Sequence, residues 1–168
     1  SFVEKDNSSN DTNKIVVFIG GSDYRNLLPI ILSSLIDLEE KNIHVIVGNT
    51  EDKLKVEKNF KTLDVHMNLS SEEMFSAFSS AKLVISGCGQ TLHELAALGK
   101  LTIGICIDID QELNQNFYHK NGFLKTRVSY KSIKNIKEEI IKSLRSNIKT
   151  EALVINSNGV KNILSLIE

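Results

Sequence analysis

One pattern constrains this chain more than any other. Short uninterrupted apolar runs, each closed by glycine or a polar turn, alternate with stretches of helical spacing. "KIVVFIG" (14–20), "IHVIVG" (43–48), "KLVISG" (82–87) and "LTIGICID" (101–108) are rich in β-branched residues at consecutive positions. A strand with one solvated face alternates apolar and polar residues, so continuous runs mean burial on both faces. "LDVHMN" (63–68) predicts a further short strand.

Between these runs lie "LLPIILSSLIDLEEK" (27–41), with Pro29 near its start where a missing N–H costs little, and the charged "TEDKLKVEKNF" (50–60). Ser70 and Glu73 form an S-x-x-E capping box for a helix over 71–80. Further helices are predicted over 91–98 and over 111–121, the latter stopped by Gly122, and near 131–146 and 159–167. Strands alternating with helices specify an α/β fold: a Rossmann-like open parallel sheet with helices on both faces.

Residues 1–13, "SFVEKDNSSNDTN", are polar and aperiodic and read as a linker or tail, leaving 14–168 as a single domain. A net charge of −1 gives no reason to expect a nucleic-acid partner. No apolar run reaches the roughly 18 residues of a membrane span, and a cytoplasmic location is expected. Cys88 and Cys106 show neither metal-ligand spacing nor a disulfide framework.

In an open α/β sheet, ligands bind beyond the carboxyl ends of the strands, where strand order reverses. Three loops leave that edge: "GGSDYRN" (20–26), "GCGQT" (87–91) and "DIDQELNQ" (108–115). In the first, Gly20 and Gly21 suit a sharp turn or a close ligand approach. Ser22 and Asp23 offer hydrogen bonds, while Asp23 or Asn26 equally suits a helix cap. Neither GxGxxG nor a P-loop is present.

In the second, the N–H groups at 89–92 open a helix and suit a phosphate, with Gly87 and Gly89 allowing close approach. Thr91 and Glu94 also spell a capping box, so Glu94 is either a cap or a ligand contact; a carboxylate there suits vicinal sugar hydroxyls. The third loop supplies Asp108, Asp110, Gln111, Asn114 and Gln115, which suit the hydroxyls and amides of a sugar or, alternatively, a polar helix start with Asp110 as N-cap. Cys88 beside His93 is the one nucleophile–base candidate, without a third group to orient the histidine. His44 and His66 fall within strands and read as packed residues, and His119 as solvated.

Together, "VFIGGSDYRNL", "SGCGQTLHELAALGKLTIGI" and "DIDQELNQNFYHKNGF" resemble the C-terminal domain of UDP-sugar hydrolases of the pseudaminic acid pathway and of spore-coat polysaccharide biosynthesis proteins. More distantly, they resemble the C-terminal half of the peptidoglycan N-acetylglucosaminyl transferase. The resemblance spans about 14–125, with a weaker echo in "INSNGVKNIL" (155–164). Leu101 replaces the family's proline, "CGQT" its glycine–serine–threonine set, and Asp110 an asparagine.

The resemblance implies one half of a GT-B architecture, with a UDP-sugar held at Gly21, Ser22 and Asp23, at Gly89, Gln90 and Thr91, by Glu94 on the ribose, and by Gln111 and Asn114 on the sugar. No metal or other cofactor is expected: no carboxylate pair has ligand-like spacing with a histidine, and a helix N-terminus holds a pyrophosphate without one. None of the four histidines matches the family's water-activating histidine, so the catalytic residues are expected on a missing N-terminal domain or a partner subunit. The reading placed first is the UDP-sugar-binding domain of a hydrolase. The alternatives are the donor domain of a glycosyltransferase and a non-catalytic module that pairs with a separate subunit, for which an exposed apolar patch at the strand-end face is expected.

Overall fold

The computed structural model describes residues 13–145 apart from Lys41. Six parallel strands, β1 (Ile15–Phe18), β2 (Ile43–Val47), β3 (Asp64–Met67), β4 (Leu83–Gly87), β5 (Thr102–Cys106) and β6 (Val128–Ser129), form one sheet in the order β3-β2-β1-β4-β5-β6. The helices are α1 (Leu28–Ile36), α2 (Thr50–Asn59), α3 (Ser71–Ser79), α4 (Thr91–Ala97), α5 (Glu112–Lys120) and α6 (Ile136–Arg145). The expected α/β sheet is therefore present.

The continuous apolar runs are explained by two cores, one on each face. Ile15 and Val17 of β1 join α1, α2 and α6 through Leu28, Ile31, Val56, Ile136 and Ile140. Val16 lies between them in sequence and packs on the other face, with Phe78 of α3, Leu92 and Leu95 of α4, and Tyr118 of α5. Successive strand side chains point to opposite faces, so a strand between two helical layers must be apolar at every position.

Some boundaries differ from those expected. α1 ends at Ile36 because Glu39 takes a left-handed φ of +59° and the Glu40 N–H returns to the Leu35 carbonyl, closing the helix before its charged tail. The pattern near 131–146 divides into a 3-10 segment, Tyr130–Asn135, and α6. β6 has only two residues, too few to leave a periodic signal. The capping box at Ser70 and Glu73 forms as expected. The pattern at 159–167, the echo at 155–164 and the tail at 1–12 lie outside the described residues.

Strand order reverses between β1 and β4, which pair in parallel from Ile15↔Leu83 to Phe18↔Ser86. The loops after these two strands flank the switch point. Gly20 makes the first of them with φ +119°, a conformation open chiefly to glycine. Gly48, at the end of β2, is required by contact: a Cβ there would lie 2.5 Å from the Gly21 Cα and 2.5 Å from its carbonyl oxygen. Backbone atoms cannot turn aside as a flexible side chain does. Gly48→Ala is therefore expected to destabilise the domain by about 1–3 kcal/mol or more, seen as a lower urea midpoint at unchanged m value.

Candidate functional site

The first loop is braced from beneath by Asp23, whose carboxylate accepts the N–H groups of Leu27 and Leu28 at 2.7 and 2.8 Å. Its own N–H donates to Asp52 Oδ2 at 2.8 Å, and Asn49 Nδ2 donates both to that oxygen at 2.7 Å and to the Gly21 carbonyl at 3.0 Å. Burial pushes the Asp23 carboxyl up from its ordinary value, against the pull of the two backbone donors. Of the two readings of Asp23, capping is thus the one its hydrogen bonds realise, and its carboxylate is engaged inside the loop. Asn26 instead takes φ +55°. Gly21 and Ser22 are exposed.

At the second loop, Gly87 brings β1 and β4 together: a Cβ there would lie 2.8 Å from the Ile19 carbonyl oxygen and 2.7 Å from Ile107 Cδ1. Gln90 precedes α4 in a helical conformation and makes no side-chain cap. The capping box read from Thr91 and Glu94 does not form, because the helix begins with Thr91 already inside it. Glu94 is half-buried and its carboxylate has no hydrogen-bond or ion-pair partner among the described residues; burial raises its pKa, opposed by the charge of His93.

The third loop supports the second. Gln111 Oε1 accepts the N–H groups of Cys88 at 3.1 Å and Ile107 at 3.2 Å. Asn114 Nδ2 donates to the Cys88 carbonyl at 3.2 Å. Both amides assigned to the sugar therefore spend one end on the backbone around Cys88. The Gln111 Nε2 end approaches Gly89, 3.6 Å from where a Cβ would stand. The N-cap of the 3-10 turn Ile109–Gln111 is Asp108, not Asp110: Asp108 accepts the Ile109 N–H at 2.8 Å, while Asp110 is exposed.

Sequence reasoning passed over Tyr24 and Arg25. Tyr24 Oη donates to Asp108 at 2.7 Å, Arg25 Nε donates to the Ile107 carbonyl at 2.6 Å, and its guanidinium reaches Asp108 at 3.2 Å. The guanidinium also lies 3.9 Å from the Tyr130 ring centroid. This cluster bridges the first and third loops across the switch point. Hydrogen bonds from Tyr24 and the Ile109 N–H, with the Arg25 charge, hold the Asp108 carboxyl below its ordinary value. That bridge is intact above the carboxylate's unfolded pKa and loosens as pH falls through the lowered one.

The nucleophile–base candidate is not assembled. Cys88 is fully buried, with its Sγ 3.0 Å from the Cβ position of Gly104, and burial pushes its thiol far up. His93 Nδ1 is paired with Tyr118 Oη at 2.6 Å. A depression of about 550 Å³ lined by Ile36, Glu39, Glu40, Thr62 and Leu63 opens where α1 finishes, away from this crevice. Beside the crevice, Ile109, Leu113 and Phe117 recur every four residues and are 75%, 80% and 57% exposed. They form an apolar stripe along the 3-10 turn and α5 after β5, such as was expected at the strand-end face if the chain pairs with a separate subunit.

A half-crevice at the switch point of a Rossmann-like sheet, flanked by polar loops and an apolar stripe, defines one lobe of a GT-B architecture. Residues 15–167 match the glycosyltransferase family 28 C-terminal domain, and the chain belongs to that family. Among solved structures it is similar to the crystal structure of Acinetobacter baumannii MurG. The TM-score is 0.65 at 17% identity, over 95% of this chain and 50% of that one. The chain thus spans about half the length of that relative. No curated protein is a significant match.

Gln111→Ala is expected to leave the Ile107 N–H without its side-chain acceptor, while the Cys88 N–H keeps the Ile105 carbonyl at 3.0 Å, and to cost about 1–3 kcal/mol of stability, measured by denaturant titration. In the folded chain Cys88 should resist iodoacetamide, with mass spectrometry showing its alkylation only after unfolding.

Proposed function

We propose that this chain is the donor-binding domain of a GT-B glycosyltransferase and that its ligand is a nucleotide sugar of the UDP class. The sequence placed a hydrolase first; the family match is to transferase domains, so the transferase reading takes its place. The observation that carries the proposal is the carboxylate of Glu94. It stands one turn into α4 at the switch-point crevice, half-buried, while the Asp23, Asp52 and Asp108 carboxylates are hydrogen-bonded within the loops.

Keeping a carboxylate partly desolvated and unpartnered costs free energy, and a ligand's vicinal hydroxyls would offset that cost with two hydrogen bonds. In this reading Gly89, Gln90 and Thr91 meet the pyrophosphate, and Gly21 and Ser22 border the sugar. The Gln111 amide nitrogen and the Asn114 carbonyl, the ends not used on Cys88, address the sugar's polar groups. Asp23 acts from below, by shaping the first loop.

The reacting groups of an acceptor would come from a second half of the cleft, on the same polypeptide or another chain. The exposed stripe Ile109, Leu113 and Phe117 at its border supports such a covering half. Water placed by that half would make the same socket a hydrolase site, so the stripe supports a partner without naming the acceptor.

Titration calorimetry with UDP, UDP-N-acetylglucosamine and ADP tests the reading. UDP should bind and ADP should not, and Glu94→Ala should weaken UDP at least tenfold, about 1.4 kcal/mol. Because the ionised carboxylate is the acceptor, affinity should hold at neutral pH and fall as pH drops through a Glu94 pKa raised above 4.5. Equal binding of UDP and ADP, or an unaffected Glu94→Ala variant, would sink the proposal.

A further inference from the structure

At the other end of the sheet, the two outermost strands bring together three side chains that the sequence kept apart. Parallel register sets His44 of β2 beside Asp64 of β3, and Ile46 beside His66. Residues two apart on a strand share a face, so Asp64 and His66 meet His44 there. His44 Nδ1, His66 Nε2 and Asp64 Oδ2 lie 3.1 Å from one another, an equilateral triangle of potential donor atoms. The face is open to solvent: the side chains of His44, His66 and Asp64 are 22%, 34% and 57% exposed.

Hydrogen bonds among the three cannot satisfy this triangle. His44 Nε2 lies 3.0 Å from Asn42 Oδ1, an acceptor, so in the neutral ring the proton sits on Nε2 and Nδ1 presents a lone pair. The Asp64 oxygen presents lone pairs as well. Only one proton, on His66 Nε2, is then available for three contacts. We propose that His44, Asp64 and His66 form a binding site for a divalent first-row transition-metal cation of the zinc class, with Asn42 setting the His44 tautomer from behind.

Three observations support the assignment. Ligand atoms about 2.1 Å from a tetrahedral zinc stand about 3.4 Å apart, and the 3.1 Å triangle need open by only a few tenths of an ångström to meet that spacing. Two imidazoles with one carboxylate suit zinc and its neighbours, not magnesium or calcium, which prefer all-oxygen sites. A hydrogen bond from the far ring nitrogen to a fixed acceptor is the usual support of a ligating histidine. The two rings are parallel within 2° with centroids 5.3 Å apart, so the nitrogens face each other edge to edge. A turn of each ring by roughly 40° about its side-chain torsions aims both lone pairs at one centre about 2.1 Å away, with the cation replacing the shared proton.

The site would clip an edge. No residue of β3 is fully buried, and β3 holds to the sheet through β2 alone. A cation bridging His44 to Asp64 and His66 crosses that single junction. This inference is independent of the nucleotide reading, because the crevice lies at the opposite strand ends.

Equilibrium dialysis of the full 168-residue chain against Zn²⁺, with and without excess Mg²⁺, tests it. One Zn²⁺ per chain is expected, undisturbed by Mg²⁺. Binding should weaken at least tenfold in both His66→Gln and Asp64→Asn, whose parent side chains are a third or more exposed, and stay unchanged in His119→Ala. Zn²⁺ should raise the thermal midpoint of the parent chain and not of the two variants. Circular dichroism confirms that each variant is folded. The proposal is overturned if the folded parent takes up no Zn²⁺ saturably or if both variants bind it as the parent does. It is likewise overturned if binding disappears with Cys88→Ser and Cys106→Ser instead, which would place the ion on thiols.

Discussion

The arrangement rests on how the carboxyl edge of the sheet satisfies its backbone. Where parallel strands end, their loops turn through the domain with N–H groups that no ladder can reach, and buried donors of that kind must find partners. Side chains supply them. Asp23 takes two donors at the start of α1, Asp52 takes the Asp23 N–H, and Gln111 takes one donor from each of the second and third loops. Gln115 serves the acceptors instead, its Nε2 donating to the Gly104 carbonyl at 3.0 Å and the Val128 carbonyl at 2.6 Å, between β5 and β6. Asp23, Asp52 and Gln115 are among the few buried polar residues, and each satisfies backbone groups of the loops or strand ends. The crevice is therefore built before any ligand arrives.

The same residues divide their labour. Gln111 and Asn114 each use one end of an amide to hold the Cys88 backbone, which leaves the other end fixed in direction by the first. Glu94 stands on α4 beside the buried Leu92, Leu95 and Ala96, and its carboxylate has no hydrogen-bond partner among the described residues. A site of this kind combines two anchored amides with one carboxylate free to choose its partner. The Tyr24–Arg25–Asp108–Tyr130 cluster joins the first loop to the third and to the 3-10 segment that follows β6.

The fold was legible because burial on both faces leaves a signal that no other arrangement of strands produces. The runs at 15–18, 43–47, 83–87 and 102–106 needed no partner to be recognised. What escaped were features that depend on contact between distant residues. β6 is too short for a pattern and exists by pairing with β5. Gly48 looks like an ordinary strand terminus until Gly21 is set against it. At the site, motif spacing found the three loops but not which end of each side chain was already occupied. Thr91 and Glu94 spelled a capping box that the helix does not use, and Asp23 spelled either cap or contact until its hydrogen bonds were drawn. Asp64-Val65-His66 is a strand pair on one face, yet only the register of β2 against β3 supplies its third member.

The strand order also governs how the chain must assemble. β1 leads in sequence but sits in the middle of the sheet, where it pairs with β4 from Ile15↔Leu83 onward. Its near neighbour β2 pairs with it early, whereas its second partner arrives only after two further helices and a strand have been made. Closing so long a loop costs entropy before any contact across it can compensate, and such non-local pairing slows folding. During synthesis one edge of the β1–β2 pair waits unpaired, with Val16 and Val17 lacking both helical layers on their β4 side. The rate-limiting event should therefore be the docking of β4 against β1. That step also creates the crevice, so the binding half-site and the folded core form together.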